Sequence, residues 1–190
     1  MRVHYPSVLE STEVGYIPDS VLIEFGGRNI TEPNEDWDVR PDIADHLPAL
    51  DLPCARVTVL SPNRTFWEKA TLMHVECHRK QFRVGAERLS RHWYDLAMLA
   101  DHAIGADALS DRDLLRDVIK HKKAFYDASY ANYDACLTAQ FRLIPTDTAV
   151  LAALREDFSR MLDAGMFIGE RPSFDAILER LAALEVSFNR

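Results

Sequence analysis

A chain of 190 residues with 47% hydrophobic and 27% charged residues has enough apolar material for a buried core and falls outside the disordered class. Its net charge of −8 excludes a protein that coats nucleic acid over its whole surface. No run approaches the ~20 apolar residues of a membrane helix, and MRVHYPSVLE lacks the apolar region of a signal peptide. Cys54, Cys77 and Cys136 form neither a CxxC pair nor an even-numbered framework. They point to a reducing, cytoplasmic setting.

The first element expected is a strand at Val3 to Leu9, bent by Pro6. Ser20-Val-Leu-Ile-Glu-Phe-Gly26 is rich in β-formers and ends at Gly26-Gly27, which reads as a second strand. Asn29 to Pro53 is acidic and holds Pro33, Pro41, Pro48 and Pro53. It reads as a long crossing loop with one helical turn. Ala55 to Leu60 alternates, with Val57 and Val59 on one face, and reads as a strand.

After Pro62 the period becomes helical. Thr65-Phe-Trp-Glu68 has the form of a capping box, and Phe66, Ala70, Met73 and Cys77 make an apolar seam to about Arg79. A basic loop with Gly85 follows. The next helix is expected from Glu87, with Leu89, Trp93, Leu96, Ala97 and Ala100 on one face and Gly105 as its stop. Ser110 is expected to cap a segment bearing Leu114, Leu115, Val118 and Ile119, continuing with a bend to Ala139. Thr146 or Thr148 would cap a helix with Val150, Leu151, Leu154, Phe158 and Met161. Ser173 would cap the last, with Ile177, Leu178, Leu181 and Leu184 inward. The expected fold is α/β but mainly α: a small partial sheet in residues 1–61, then about five bundled helices in residues 62–190.

Charge is unevenly spread. Acids dominate from Met1 to Arg56, whereas Arg64, Lys69, Arg79, Lys80, Arg83, Arg88 and Arg91 face only Glu68, Glu76 and Glu87 between Asn63 and His92. A basic patch in an acidic chain fits a small anion, a nucleotide or an RNA end. A solvated helix surface has the same composition, and composition alone favours it. Lys69, at the edge of the apolar seam, can hold an anion while its stem packs on the core. Spacing alone is met as well by a surface lysine paired with Glu68 or Glu76. Asp95 sits within two turns of Arg88, Arg91 and His92, where it could line a polar site or simply pair with Arg91 at i, i+4. Glu24, between Ile23 and Phe25, is a strand carboxylate of the kind that holds Mg²⁺, or an outward-facing side chain. His74, Cys77 and His78 bring two imidazoles to one helix face, but HVECH lacks the metalloprotease glutamate position and a third ligand cluster. They read as packing residues.

The strings SPNRTFWEKATLMHVECHRK and RLSRHWYDLAML, with VLIEFGGRN before them and HKKAFYDASYANYDACLTAQFRLIP, LREDFSRMLDAGMF and PSFDAILERLAALE after, resemble AbiEii/AbiGii-type nucleotidyltransferase toxins. These belong to the polymerase-β-like nucleotidyltransferase superfamily. The likeness covers nearly the whole chain, and the RTFWEKATLMH and SRHWYDL pair is its most specific part.

The resemblance implies Mg²⁺ and an NTP as cofactors, and transfer of NMP to an acceptor such as tRNA. It also implies a type IV toxin–antitoxin or abortive-infection role in phage defence, with a DNA-binding repressor as the antitoxin. It assigns Glu24 as the strand carboxylate and metal ligand, and Lys69 and Asp95 as the other catalytic residues. Arg28, Arg64, Arg88 and Arg91 become substrate or phosphate contacts. His92 stands where many relatives carry an acid.

The Gly-Ser segment and DxD pair with which the family's motifs begin do not precede Glu24. Asp36-Trp-Asp38 spells DxD but follows the strand. On this basis the chain is expected to be the C-terminal part of such a toxin, truncated and with little or no transfer activity. The alternative is a non-catalytic protein of the same descent that binds a nucleotide, RNA or a partner. A third reading makes the surface around Val21, Leu22 and Phe25 a homodimer interface.

Overall fold

The computed structural model describes residues 1–6, 18–28, 30–79, 88–167, 169 and 171–190. Two short antiparallel pairs come first. β1 (Arg2–His4) pairs with β2 (Ser20–Leu22), and β3 (Asn34–Val39) pairs with β4 (Ala55–Leu60). The register of the second pair sets Trp37 opposite Val57 and Asp36 opposite Thr58.

Among the described residues six helices follow: α1 (Pro62–His78), α2 (Arg91–Asp101), α3 (Ala103–Ser110), α4 (Arg112–Phe125), α5 (Thr148–Asp163) and α6 (Phe174–Phe188). The chain is therefore mainly α with a small β-containing N-terminal region, as its periodicities predict.

Several boundaries differ from expectation. The stretch read as a crossing loop contains β3 and a 3₁₀ turn at Asp42–His46. Its alternation was hidden because Glu35, Asp36 and Asp38 are charged and the whole strand is largely exposed. The second strand stops at Leu22, so Glu24 lies beyond it. The strand expected at Val3 to Leu9 is observed as Arg2–His4; residues 7–9 lie outside the described residues, as does Gly85.

α1 starts three residues before the predicted capping box. Pro62 occupies the first turn, where its missing N–H costs nothing, and Thr65 Oγ donates to the Ser61 carbonyl. Gly105 does not stop α2. The chain breaks at His102, and Gly105 lies inside α3, where a Cβ would come within 2.5 Å of the Ala100 carbonyl oxygen. Glycine is there because two helix backbones meet.

Asp111, not Ser110, caps α4 by accepting from Leu114 N–H, and Asp147 caps α5 by accepting from Ala149 N–H. Ser173 caps α6 as predicted, accepting from Ala176 N–H at 3.1 Å. α4 ends at Phe125, and a 3₁₀ turn at Tyr133–Leu137 follows in place of the continued helix.

The core lies among the helices. α1 packs on α2, α3 and α4, and α2 packs on α6. Phe66, Trp67, Phe141 and Phe188 form one aromatic cluster, with ring centroids 4.7–6.3 Å apart. Such contacts add to area burial. The two large indoles keep their N–H groups satisfied: Trp67 donates to the Ala108 carbonyl and Trp93 to the Leu143 carbonyl, each at 3.1 Å. The loop before α5 is held from α6, where the Glu185 carboxylate accepts from Leu143 and Ile144 N–H. Among the described residues no helix is long and apolar enough to cross a membrane.

Candidate functional site

Helix α1 exposes two different polar surfaces. On one, Lys69 Nζ lies 2.7 Å from Asp95 Oδ2, which joins the FWEKA string of α1 to the RHWYDL string of α2. The lysine is half-buried and the aspartate more open. A lysine held this way is pre-oriented, yet within reach of solvent. His92, one turn before Asp95, belongs to the same wall. Burial pushes its pKa down to about 4, and the neighbouring Lys69 and Arg91 charges act in the same direction. Its Nδ1 is buried without a hydrogen-bond partner. Arg91 is exposed beside it.

On the other surface, Arg64 is buried, with Nη1 2.7 Å from Asp117 Oδ2 and Nε 3.5 Å from Glu68 Oε1. Lys122, from α4, sits 3.1 Å from Glu68 Oε2 and also donates to the Glu68 carbonyl at 2.8 Å. Burial pulls the Lys122 pKa down, while the Glu68 carboxylate opposes that shift. Two cations and two carboxylates thus tie α1 to α4. Arg64 faces this network.

Sequence reasoning named Glu68 only as a capping-box residue and a partner for Lys69, and it missed Asp117 and Lys122. A signal existed for the lysine: Leu115, Val118, Ile119 and Lys122 fall on one helical stripe, so a charged residue occupies an apolar seam. Asp157 has the same signature. It lies on the inner stripe of α5 with Leu154, Phe158 and Met161.

The structure brings Lys69, Asp95, Arg91 and His92 together. Arg88 is at the turn before α2, half-buried, with φ +68°. Arg28 is exposed, and its carbonyl accepts from His121 Nε2 at 2.8 Å, which links that segment to α4. Glu24 is exposed and forms no ion pair among the described residues. Asp36 and Asp38 share one face of β3, but Arg56 lies 3.7 and 3.5 Å from their carboxylates, and Thr58 donates to Asp36 at 2.8 Å. Among the described residues no group of three or more His, Cys, Asp or Glu side chains converges as metal ligands do.

His74 is a packing residue. Its Nδ1 accepts from Arg142 N–H at 3.0 Å and its Nε2 donates to the Asn132 carbonyl at 3.1 Å. His78 Nδ1 donates to the His74 carbonyl.

The family model described as nucleotidyl transferase AbiEii toxin, type IV toxin–antitoxin system, matches residues 1–180. The chain belongs to the AbiEii family. The expectation that it represents only the C-terminal part of such a toxin is overturned by that match, which begins at Met1 and covers nearly the whole chain. The expectation rested on two short motifs, whereas the family match takes in the N-terminal residues as well. No curated protein and no solved structure matches. Family membership supplies nucleotidyl transfer, a toxin–antitoxin pairing and the use of an NTP with Mg²⁺ as the family's general chemistry. The Lys69–Asp95 contact gives the RTFWEKATLMH and SRHWYDL strings a common location.

Proposed function

We propose that this AbiEii-family chain binds a nucleoside triphosphate on the wall made by α1 and the start of α2, in the service of nucleotidyl transfer to an acceptor such as a tRNA end. The observation that carries the reading is the 2.7 Å contact between Lys69 and Asp95. A phosphate oxygen can replace the carboxylate on Lys69 without any change of charge state. Arg91, exposed nearby, supplies further positive potential, and Arg88 stands at the turn that leads to it.

Asp95 keeps the lysine aimed before the ligand arrives. Arg64 acts at one remove, by fixing α1 against α4. Glu24 and Arg28 lie on the segment after β2, which His121 ties to α4 through the Arg28 carbonyl, and they take no part in the Lys69 wall. The proposed division of labour places a remnant of the nucleotidyltransferase α/β core in residues 1–61 and the helical domain in residues 62–190. A DNA-binding repressor as antitoxin and a cytoplasmic setting belong to the same proposal.

Mg²⁺, when bound with the nucleotide, would supply charge neutralisation. The carboxylates described do not fit such an ion: Glu24 stands apart, and Asp36 and Asp38 are engaged by Arg56 and Thr58.

The test is equilibrium binding of labelled ATP, CTP, GTP and UTP to the full chain, with and without Mg²⁺. Loss of a charge-assisted contact predicts a drop of about tenfold or more for Lys69→Ala. Unchanged binding by that variant removes the site. Incubation with Mg²⁺, labelled NTP and tRNA then separates the two family-derived readings. Labelled RNA identifies a transferase. Mg²⁺-independent, salt-sensitive NTP binding without labelling identifies a binding protein.

A further inference from the structure

We infer that Asp157, on α5, is a positioning residue of the nucleotide wall, acting through the turn that launches α2. The inference rests on that wall being the nucleotide site. Asp157 is only 4% exposed. Its Oδ1 accepts from Arg88 N–H at 2.8 Å, and its Oδ2 accepts from Ser90 N–H at 2.8 Å and from Ser90 Oγ at 2.6 Å. One carboxylate thus fixes two backbone amides and a hydroxyl that lie more than sixty positions earlier.

The turn it holds is an unfavourable one. Arg88 has φ +68°, a region that costs an L-residue and favours glycine. Ser90 is fully buried, and its carbonyl accepts from Trp93 and Tyr94 N–H at 3.0 and 3.2 Å, which begins α2. The next residues are Arg91 and His92, and Asp95 follows one turn on to meet Lys69. The geometry runs without a gap from Asp157 through the Arg88–Ser90 turn to the first turn of α2.

An apolar side chain on this stripe of α5 would close the core at lower cost than a buried carboxylate. What the carboxylate adds is the placement of that turn. A left-handed arginine, held by a buried acid from another helix, sets the direction in which the Arg91, His92 and Asp95 side chains leave the helix.

Asp157→Asn keeps the shape but replaces one acceptor oxygen with an amide donor, so one of the two N–H groups loses its acceptor. In the full chain, with ATP as the probe, the expected result is a Kd about tenfold weaker for the folded protein. The loss should shrink in an Arg91→Ala background, because a misplaced Arg91 cannot be lost twice. A lowered Tm with wild-type Kd would overturn the inference and leave Asp157 a purely structural acid. So would strict additivity with Arg91→Ala. Ser90→Ala removes a single hydroxyl bond and serves if Asp157→Asn does not fold. It should weaken ATP binding about threefold, and an unchanged Kd would again overturn the inference. Lys69→Ala run alongside distinguishes the two levels. If it binds ATP as the wild type does, the nucleotide site itself falls. If it is impaired while Asp157→Asn is not, only the positioning role falls.

Discussion

Trp37 and Trp67 carry the same side chain into opposite surroundings. Trp37, on β3, is 58% exposed and turns its indole N–H to Glu35 two residues away. Trp67, on α1, is fully buried, donates across the core to the Ala108 carbonyl, and touches the rings of Phe66, Phe141 and Phe188. The contrast extends to the regions around them. Among the described residues, every hydrophobic residue of the buried core lies at Phe66 or later, whereas Val3, Val21, Leu22, Val39 and Val57 on the strands stay exposed. The helices are held by shared apolar burial. The strand pairs are held by their own ladders and a few surface charges, a marginal arrangement for two strands. The helical part can therefore carry a preorganised site, and Lys69, Asp95 and Asp157 all belong to it.

The largest test of this contrast is a pair of truncations. Trp67→Ala should destabilise the chain by about 3–5 kcal/mol, the usual cost of emptying a large buried aromatic site. Trp37→Ala should stay within about 0.5 kcal/mol, as surface changes do. Urea denaturation followed by circular dichroism reads both. A large effect at Trp37 would mean that the β3–β4 pair shares the cooperative core.

Gly105→Ala probes how tightly the helices meet. The added Cβ would lie 2.5 Å from the Ala100 carbonyl oxygen and 2.8 Å from its Cα. These are backbone atoms and cannot swing aside. Overpacking of this kind costs about 1–3 kcal/mol, more than the gain in helix propensity from removing a glycine. An unchanged urea midpoint would show that α2 and α3 can slide apart at His102.

The same contrast explains what could be read in advance. Helical seams were legible because burial is periodic there: Phe66, Ala70 and Met73, or Ile177, Leu181 and Leu184, announce an inward face. The β3 strand was not legible. Exposure on both faces let Glu35, Asp36 and Asp38 replace the alternation that marks a half-buried strand. Lys69 and Asp95 could be named as candidates, but their contact depends on how α1 packs on α2, which no local pattern encodes. Asp157 stood out only as a charged residue on an apolar stripe, and its role was hidden for the same reason. Its partners Arg88 and Ser90 are brought to it by the tertiary fold.

His74 makes the interior sensitive to acid. Burial, with help from His78, pushes its pKa from 6.5 down to about 4. The folded state holds its imidazole neutral, while the unfolded chain takes up a proton below its ordinary pKa. The sign follows: His74 contributes nothing adverse above pH 6.5, and stability is lost progressively as pH falls from there toward 4. Between pH 7 and 5 the loss from this residue should be on the order of 1–2 kcal/mol. His74→Gln, less stable at neutral pH, should show a flatter dependence across that window. Urea midpoints at pH 7, 6 and 5 decide it, and an equally steep slope in the variant would assign the acid sensitivity elsewhere.

The smallest expected effect is on the strands. Arg56 sits between Asp36 and Asp38 on the exposed face of the β3–β4 pair, at 3.7 and 3.5 Å, with its side chain mostly in water. Pairs of this kind are worth about 0–1 kcal/mol and weaken with salt. Arg56→Ala should therefore shift the global urea midpoint by less than about 0.5 kcal/mol. Locally it leaves two aspartates on adjacent same-face positions without their shared cation, so the change should appear in amide exchange of residues 34–39 and 55–60, and more strongly at low ionic strength. Faster exchange confined to those amides would show the strand pair opening independently of the helical core. If exchange also rose in α1 and α2, the strands and the helices would have to be treated as one cooperative unit, and the nucleotide wall would depend on both.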